Sequence, residues 1–288
     1  MNLSQIDQEL ANLIDLAYLG DNWTIRGPNM HNEVYVFSSS NGLYFPNSAA
    51  QFNDSIIAKD KYEWLNISRN ISAFNKALFL RDVHKQWYLK GISSHVNSIE
   101  KIIELVKTET NGKKLITVGT SSGGFLSTIL GLNLDADMVF SFSGQLQLGA
   151  TAATDPNNNS VLQANLDSKY CDLSFLLSGD SDTCLFYFVG VHSETDWPDI
   201  AFAKRYPKVM MFLFDSDIHG VPFPAFALKY LLKKGKHEVL ALHQYFDGSV
   251  INPIFFSLKV CGLIAFFREY TTHILAKTKN KIRNFFNV

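Results

Sequence analysis

The stretch LITVGTSSGGFLSTILG, residues 115–131, passes from an apolar run through a cluster of small residues into a segment with helical spacing. The pentapeptide GTSSG at residues 119–123 matches the pattern G-x-S-x-G, directly after a predicted strand and directly before a predicted helix. In that context the pattern is typical of a nucleophile elbow, a sharp turn that holds a serine hydroxyl above the end of a strand. Ser121 is therefore the candidate nucleophile, and the backbone N–H of Ser122 is a candidate donor to a developing oxyanion.

A glycine-rich turn between a strand and a helix can also serve close packing alone or bind a phosphate group. A P-loop requires G-K-[ST] after its glycines, and a dinucleotide-binding turn requires G-x-G-x-x-G. Neither pattern occurs in residues 115–131. The sequence therefore favours the nucleophile elbow over a phosphate-binding turn.

Apolar runs rich in β-branched and aromatic residues lie on both sides of the elbow. Their hydrophobicity is nearly continuous, which is typical of strands buried on both faces of a sheet. The runs are residues 34–37, 77–80, 115–118, 138–142, 185–191 and 209–214. Segments with helical spacing alternate with them, at residues 96–106 and 125–132. This order predicts an α/β fold with a mostly parallel sheet, helices on both faces and a ligand site beyond the carboxyl ends of the strands.

The composition is that of a globular chain large enough for a substantial core. It has 288 residues, 47% hydrophobic and 18% charged, and we expect a single domain over residues 1–288. A formal net charge of −1 gives no general attraction to nucleic acid, so we expect no such partner. The three cysteines form no C-x-x-C pair and the first residues lack a secretory pattern, so we expect a cytoplasmic protein. We also predict no bound metal and no permanently bound cofactor.

A nucleophilic serine needs a histidine base, which in this topology follows the serine in the chain. Three of the eight histidines precede Ser121, and three more lie in helical, lysine-containing segments typical of a protein surface. His192 directly follows the predicted strand 185–191, a place that usually supplies the acid. His219 lies in a short loop just after the predicted strand 209–214, and we predict that it is the base, although a turn histidine without function fits the same place.

The acid is expected in the loop after the preceding strand, within GVHSETDWPDIAFAKRY at residues 190–206. Asp196 and Asp199 both fit on spacing, and Glu194 is a weaker third candidate. Asp199 fits equally well as a helix cap for the segment that follows. The residues alone leave this choice open.

A second oxyanion donor in such a site comes from the loop after an early strand. Ser38 and Ser39 directly follow the predicted strand 34–37, so a backbone N–H of one of them is the candidate. A polar turn without function fits these residues equally well.

Two segments stand apart from the alternating strands and helices. Residues 149–183 are rich in turn-forming residues around weak helical signals, and they are a candidate cap or lid inserted between strands. Residues 277–288, KTKNKIRNFFNV, form a basic tail interleaved with aromatic residues, which fits either peripheral contact with an anionic membrane or a solvated tail. Membrane contact would place the protein at the inner face of the membrane.

Five blocks of the sequence resemble successive blocks of a known group of proteins. They are FLRDVHKQWYLKGI (residues 79–92), VGTSSGGFLSTILG (118–131), FSFSGQ (140–145), DIAFAKRY (199–206) and DSDIHGV (215–221). The group comprises α/β-hydrolase-fold proteins of bacterial capsule and surface-polysaccharide biosynthesis, including capsular polysaccharide O-acetyltransferases that use acetyl-CoA. The resemblance covers roughly residues 34–224. It implies the α/β-hydrolase fold, and it places the carboxylate in the block DIAFAKRY, which favours Asp199 over Asp196.

Three functions are compatible with these residues. The first is an O-acetyltransferase that moves an acetyl group from acetyl-CoA through Ser121 to a polysaccharide hydroxyl. The second is a carboxylesterase or other acyl hydrolase with the same three residues and water as the acceptor. The third is a non-catalytic binding protein on the same fold, which the intact order of serine, aspartate and histidine disfavours.

Overall fold

The computed structural model describes residues 3–28, 32–40, 48–72, 75–149, 151 and 167–272. Its centre is a sheet of eight strands in the order β1-β3-β2-β4-β5-β6-β7-β8. The strands are β1 (Trp23–Arg26), β2 (Glu33–Ser38), β3 (Lys76–Leu80), β4 (Lys114–Thr120), β5 (Met138–Phe142), β6 (Cys184–Gly190), β7 (Val209–Phe214) and β8 (Val250–Ile251). Only β1 pairs antiparallel with its neighbour, and the remaining pairs are parallel.

The six strands predicted from the sequence are confirmed as β2 to β7, each within one or two residues of the predicted bounds. The two edge strands, β1 and β8, were not predicted. They have four and two residues, too few for a clear pattern of hydrophobicity. The predicted mostly parallel sheet with helices is therefore confirmed.

Most of the helices lie between strands along the chain, the first precedes β1, and the last two follow β8. They are α1 (Leu3–Leu19), α2 (Ala49–Phe52), α3 (Arg69–Ser72), α4 (Ile99–Thr110), α5 (Ser122–Asn133), α6 (Ser174–Leu177), α7 (Trp197–Ala203), α8 (Ala225–Leu231), α9 (Lys236–Phe246) and α10 (Pro253–Cys261). A further helix, α11, begins at residue 263, and its described part ends at residue 272. Among the described residues, no helix is long and apolar enough to cross a membrane.

Two hydrophobic cores lie on opposite faces of the sheet, because successive residues of each strand belong to different cores. The first core is mainly aliphatic at the sheet and is covered by α4, α5 and α7. The second contains most of the stacked phenylalanines and is covered by α8, α9 and α10. Both faces of the central strands are thus buried, which explains why the hydrophobicity of these strands is continuous.

The segment 149–183 is only partly described. A 3₁₀ turn at Lys169–Cys171 and helix α6 place buried side chains of Tyr170, Leu173 and Leu177 in the aliphatic core. Residues 167–183 thus pack on the body of the fold. Residues 152–166 and the basic tail 277–288 lie outside the described residues, so the lid and the tail contact stay predictions.

The parallel strands β4 to β7 all end at one edge of the sheet, at Thr120, Phe142, Gly190 and Phe214. The residues that follow each strand are therefore neighbours in space, although they are far apart in the sequence. The catalytic candidates after β4, β6 and β7 lie in these connections, either in the loops or in the first turns of the helices that follow.

Candidate active site

The turn after β4 holds Ser121 in a strained conformation. Its backbone has φ 53° and ψ −123°, and its N–H donates to the carbonyl oxygen of Phe142 at 2.9 Å. A Cβ on Gly119 would lie 2.1 Å from the carbonyl oxygen of Gly123, and a Cβ on Gly123 would lie 2.1 Å from that of Ser38. Both glycines are therefore required by the close approach of backbones, as the G-x-S-x-G pattern predicts.

His219 lies beside the serine, in the loop after β7. Its Nε2 is 2.9 Å from the Oγ of Ser121, within hydrogen-bonding distance, and its side chain is 36% exposed. The structure therefore brings together the serine and the histidine that the sequence pairs. The exposed ring of His192 contacts a different residue: its Nε2 is 2.9 Å from the Oδ1 of Asp215.

The carboxylate next to the histidine is Asp196. Its Oδ1 is 2.7 Å from the Nδ1 of His219, and its side chain is 1% exposed. A carboxylate at this distance suits the tautomer with the imidazole proton on Nδ1, which leaves the Nε2 lone pair for the Ser121 hydroxyl. This is the tautomer that a general base needs.

The structure does not support the preference for Asp199 as the acid, because this carboxylate bonds to backbone N–H groups and not to the imidazole. Its Oδ1 accepts the backbone N–H groups of Leu146 at 2.6 Å and of Gln147 at 3.3 Å, and these bonds hold the loop after β5. Burial raises the pKa of Asp199 to about 7. Asp196 occupies the N-cap position of α7 without a capping side-chain bond, whereas Asp199 lies in the first turn of the helix. The alternative acid, Asp196, is the one that contacts the imidazole.

Ser143 contacts Asp196, and the sequence did not predict this contact. It follows β5 with φ 46°, and its hydroxyl donates to the Oδ2 of Asp196 at 3.0 Å. Both oxygens of the carboxylate are thus engaged, one by the imidazole and one by the serine. The sequence around Ser143 does not reveal this contact, because the contact depends on the distant loop between β6 and α7. The available signal was the place of Ser143 at the end of a predicted central strand, in the block FSFSGQ.

The backbone N–H of Ser122, the first candidate oxyanion donor, lies at the start of α5. Ser122 is the first residue of α5, so its N–H belongs to the group of helix N-terminal donors without an intrahelical acceptor. Its position next to the nucleophile, at the positive end of the helix dipole, suits the stabilisation of an oxyanion.

The candidates for a second oxyanion donor are the backbone N–H groups of Ser38 and Ser39, at the end of β2. The Ser39 N–H is already bonded to the carbonyl oxygen of Leu80 at 2.9 Å, which argues against this residue as the donor. Glu63 binds the next residue, accepting the N–H and the hydroxyl of Ser40 at 2.5 and 3.0 Å. The Ser38 N–H stays a prediction, and residues 41–47, the rest of this loop, lie outside the described residues.

The loop after β3 forms a wall beside the loop after β5. Buried Asp82 accepts the backbone N–H groups of Gln86 and Tyr88 at 2.7 and 2.9 Å, and burial raises its pKa to about 6. These bonds hold Trp87 with a positive φ, and its indole N–H donates to the Oε1 of Gln145 at 2.9 Å. The block RDVHKQWY therefore serves the framework around the site.

The arrangement contains the groups that acyl-transfer chemistry needs. A hydroxyl, an imidazole and a buried carboxylate form one hydrogen-bonded chain, with a helix N-terminus beside the hydroxyl. No group of three or more metal-ligating side chains is arranged to hold a metal ion within the described ranges.

No protein-family model and no curated protein matches the sequence. Among solved structures, the capsule O-acetyltransferase of Neisseria meningitidis serogroup A, in complex with caged gadolinium, is similar over 78% of this chain and 92% of that chain, with TM-score 0.50 and 14% identity. An esterase/lipase from an uncultured bacterium is similar over 83% and 89%, with TM-score 0.46 and 17% identity.

Est1E from Butyrivibrio proteoclasticus is similar over 77% of this chain and 93% of that chain, with TM-score 0.47 and 11% identity. At these identities a likeness concerns the fold alone, and of these three structures the capsule O-acetyltransferase, with TM-score 0.50, is the one that bears on it. Together with the strand order and the serine turn after β4, that likeness shows that the chain has the α/β-hydrolase fold.

Proposed function

We propose that the protein is a serine O-acetyltransferase that moves an acetyl group from acetyl-CoA to a hydroxyl of a bacterial capsular or surface polysaccharide. The observation that carries the acyl-transfer chemistry is the hydrogen-bonded chain from Ser121 through His219 to Asp196. The donor and the acceptor follow from the resemblance of the five sequence blocks to capsular polysaccharide O-acetyltransferases.

In the first half of the reaction, the Oγ of Ser121 attacks the thioester carbonyl while the Nε2 of His219 takes the hydroxyl proton. Asp196 stabilises the imidazolium that forms, and the N–H of Ser122 faces the oxyanion of the tetrahedral intermediate. The carbon–sulfur bond then breaks, His219 returns the proton to the leaving thiolate, and free CoA and an acetyl ester on Ser121 remain.

In the second half, a sugar hydroxyl takes the place of the thiol. His219 removes its proton, the sugar oxygen attacks the ester carbonyl, and the proton returns to the Oγ of Ser121 as the acetylated glycan leaves. Water in place of the sugar would make the same residues an esterase. One observation favours this second candidate: the His219 side chain is 36% exposed, so water reaches the imidazole in the unliganded protein.

The donor is tested by following free thiol release from acetyl-CoA, with and without candidate polysaccharides. We expect Ser121→Ala to abolish the release, because the covalent intermediate can no longer form. Ser122→Ala is the matched control, because it keeps the backbone N–H and removes a buried hydroxyl that has no hydrogen-bond partner in the described residues. An inactive Ser122→Ala beside an active Ser121→Ala would refute the placement of the nucleophile.

The base is tested in the same assay. His219→Ala should lose about as much activity as Ser121→Ala, because the members of such a triad act as one unit. His192→Ala should stay close to the unchanged protein, since His192 contacts Asp215 and not the serine. Equal losses in the two histidine variants would show that His192 takes part in the site.

Transfer and hydrolysis are separated by the lifetime of the acetylated enzyme, read by intact-protein mass. For a transferase, the acetyl ester on Ser121 persists in buffer and disappears quickly when the accepting polysaccharide is added. Rapid loss in buffer alone, unchanged by any glycan, would reject the transferase and leave the esterase.

A further inference from the structure

The end of β2 lies directly against the turn that holds Ser121. A Cβ on Gly123 would lie 2.1 Å from the carbonyl oxygen of Ser38 and 3.0 Å from the carbonyl carbon of Ser39. Gly123 is the second residue of α5 and follows Ser122, whose N–H is the first candidate oxyanion donor. Because these backbones are in close contact, a shift of the end of β2 would also shift the start of α5.

Two buried side chains from outside β2 hold its backbone at this point. The indole N–H of Trp64 donates to the carbonyl oxygen of Ser38 at 2.9 Å. The hydroxyl of Tyr88 donates to the carbonyl oxygen of Ser39 at 2.6 Å. The same hydroxyl is 3.4 Å from the carbonyl oxygen of Leu80, so the contact with Ser39 is the closer one. The backbone beside the nucleophile turn is therefore fixed by donors that lie far away in the sequence.

The loop that carries Tyr88 has a strained backbone. Lys85, Trp87 and Tyr88 have φ angles of 54°, 56° and 61°, a region that side chains of this size rarely adopt. The buried carboxylate of Asp82 accepts the backbone N–H groups of Gln86 and Tyr88 at 2.7 and 2.9 Å. Strain of this kind persists only where surrounding contacts impose it, and it clusters at functional sites. The bonds to Asp82 thus hold Tyr88 in a fixed place beside the end of β2.

We propose that Tyr88 is a positioning residue for the reaction at Ser121. Its hydroxyl holds the carbonyl group of Ser39 and thereby keeps the start of α5, with the N–H of Ser122, in the geometry that the oxyanion needs. Because the Tyr88 side chain is fully buried, it acts through this backbone and not on the substrate. This role rests on the proposed function, since it concerns acyl transfer by Ser121.

A hydrogen bond that only stabilises the fold is the competing explanation, and the chain offers a matched comparison. Tyr35 is a buried tyrosine of β2 whose hydroxyl donates to the carbonyl oxygen of Leu232 at 3.3 Å. Its ring belongs to the phenylalanine-rich core, on the face of the sheet opposite to α5. Removing either hydroxyl breaks one buried bond to a carbonyl oxygen, but only the hydroxyl of Tyr88 contacts the backbone beside the nucleophile turn.

The test is the rate at which a fluorophosphonate labels Ser121 in the full chain. The Oγ of Ser121 attacks phosphorus, fluoride leaves, His219 takes the hydroxyl proton, and the phosphoryl oxygen takes the place of the oxyanion. At saturating probe, Tyr88→Phe should be labelled about 10- to 100-fold more slowly, because a misplacement of about 1 Å costs on the order of a hundredfold. The half-saturating probe concentration should change by less than about threefold, since the groups that bind the probe remain. Tyr35→Phe should be labelled at the rate of the unchanged protein.

Urea denaturation separates positioning from stability, because both variants lose one buried hydrogen bond and should show lower midpoints. Labelling of Tyr88→Phe at the unchanged rate, beside a lower midpoint, would overturn the positioning role and leave a structural one. Equal slowing of Tyr88→Phe and Tyr35→Phe would overturn it as well, since the effect would not depend on Ser39. In both cases Ser121 of the unchanged protein is still labelled, so the proposed function stands. Absence of that label would refute the proposed function together with this role.

Discussion

Asp196 and Asp199 are two buried carboxylates three residues apart, and their contacts are of different kinds. Asp196 bonds to an imidazole and a hydroxyl, both side chains, at the edge where the strands end. Asp199 bonds to two backbone N–H groups of the loop after β5. An imidazole changes its charge during acyl transfer, whereas an amide does not. Burial and spacing therefore do not separate the two carboxylates, whereas their partners do.

The largest expected effect separates the two carboxylates by activity. Asp196→Asn keeps the size of the side chain but offers an amide to Nδ1 of His219, which favours the wrong tautomer. Turnover should fall by about 10⁴-fold, as in a serine triad whose aspartate is amidated. Asp199→Asn should leave turnover within a few-fold, because its Oδ1 still accepts the N–H of Leu146. Steady-state thiol release measures both, and the reverse order would restore Asp199 as the acid.

A smaller effect on activity is expected at Ser143, whose hydroxyl contacts Asp196. Ser143→Ala removes the hydroxyl that donates to the Oδ2 of Asp196 and leaves that oxygen buried. Turnover should fall by about 10- to 100-fold, corresponding to the roughly 1–3 kcal/mol cost of an unsatisfied buried acceptor. Ser143→Thr retains a hydroxyl and is the rescue variant. If Ser143→Ala lowers the melting temperature but leaves turnover unchanged, Ser143 has a structural role only.

The framework role of Asp199 is tested by stability. Asp199→Ala removes the acceptor of two backbone N–H groups, so the free energy of unfolding should fall by about 1–3 kcal/mol. Asp199→Asn retains an acceptor oxygen and should lose less. Urea denaturation of both variants at pH 5 makes the comparison. An unchanged midpoint in Asp199→Ala would show that these bonds do not hold the loop.

A further effect on stability is its dependence on pH. Burial raises the pKa of Asp199 to about 7 in the folded protein, above about 3.9 in the unfolded chain, so the folded state binds the extra proton. Its contribution to stability is full below about pH 4 and is lost as the pH rises through 7, by at most about 1.4 kcal/mol per unit. Asp199→Asn lacks this term, so its stability relative to the unchanged protein should rise over that range. A pH-independent difference would contradict the raised pKa.

The strained turn at Ser121 and the place of His219 beside it were predictable from the sequence. The close approach of backbones at Gly119 and Gly123 requires glycine at fixed spacing around Ser121, and His219 lies just after the predicted strand 209–214. The choice between Asp196 and Asp199 was not predictable, because it depends on how the start of α7 faces the loop after β7. Ser143 was missed for the same reason, since its partner lies 53 residues away.

The fold shows the same division between local and distant signals. The central strands β2 to β7 are buried on both faces, so each has a continuous apolar run that can be read without its neighbours. The edge strand β1 pairs antiparallel with β3, and its four residues are only partly buried. Its place is determined by the partner strand, which a sequence pattern does not reveal.

The central claim, that His219 and Asp196 activate Ser121, is tested most directly by a fluorophosphonate, since this probe needs no knowledge of the natural substrate. Attack by the Oγ of Ser121 forms an oxygen–phosphorus bond and releases fluoride, while His219 takes the hydroxyl proton. Peptide mass spectrometry should place the adduct on Ser121, at similar rates in the unchanged protein and in Asp199→Asn. Labelling of Asp196→Asn should be slower by about 10³- to 10⁴-fold. An adduct on another serine, or fast labelling of Asp196→Asn beside slow labelling of Asp199→Asn, would contradict the claim.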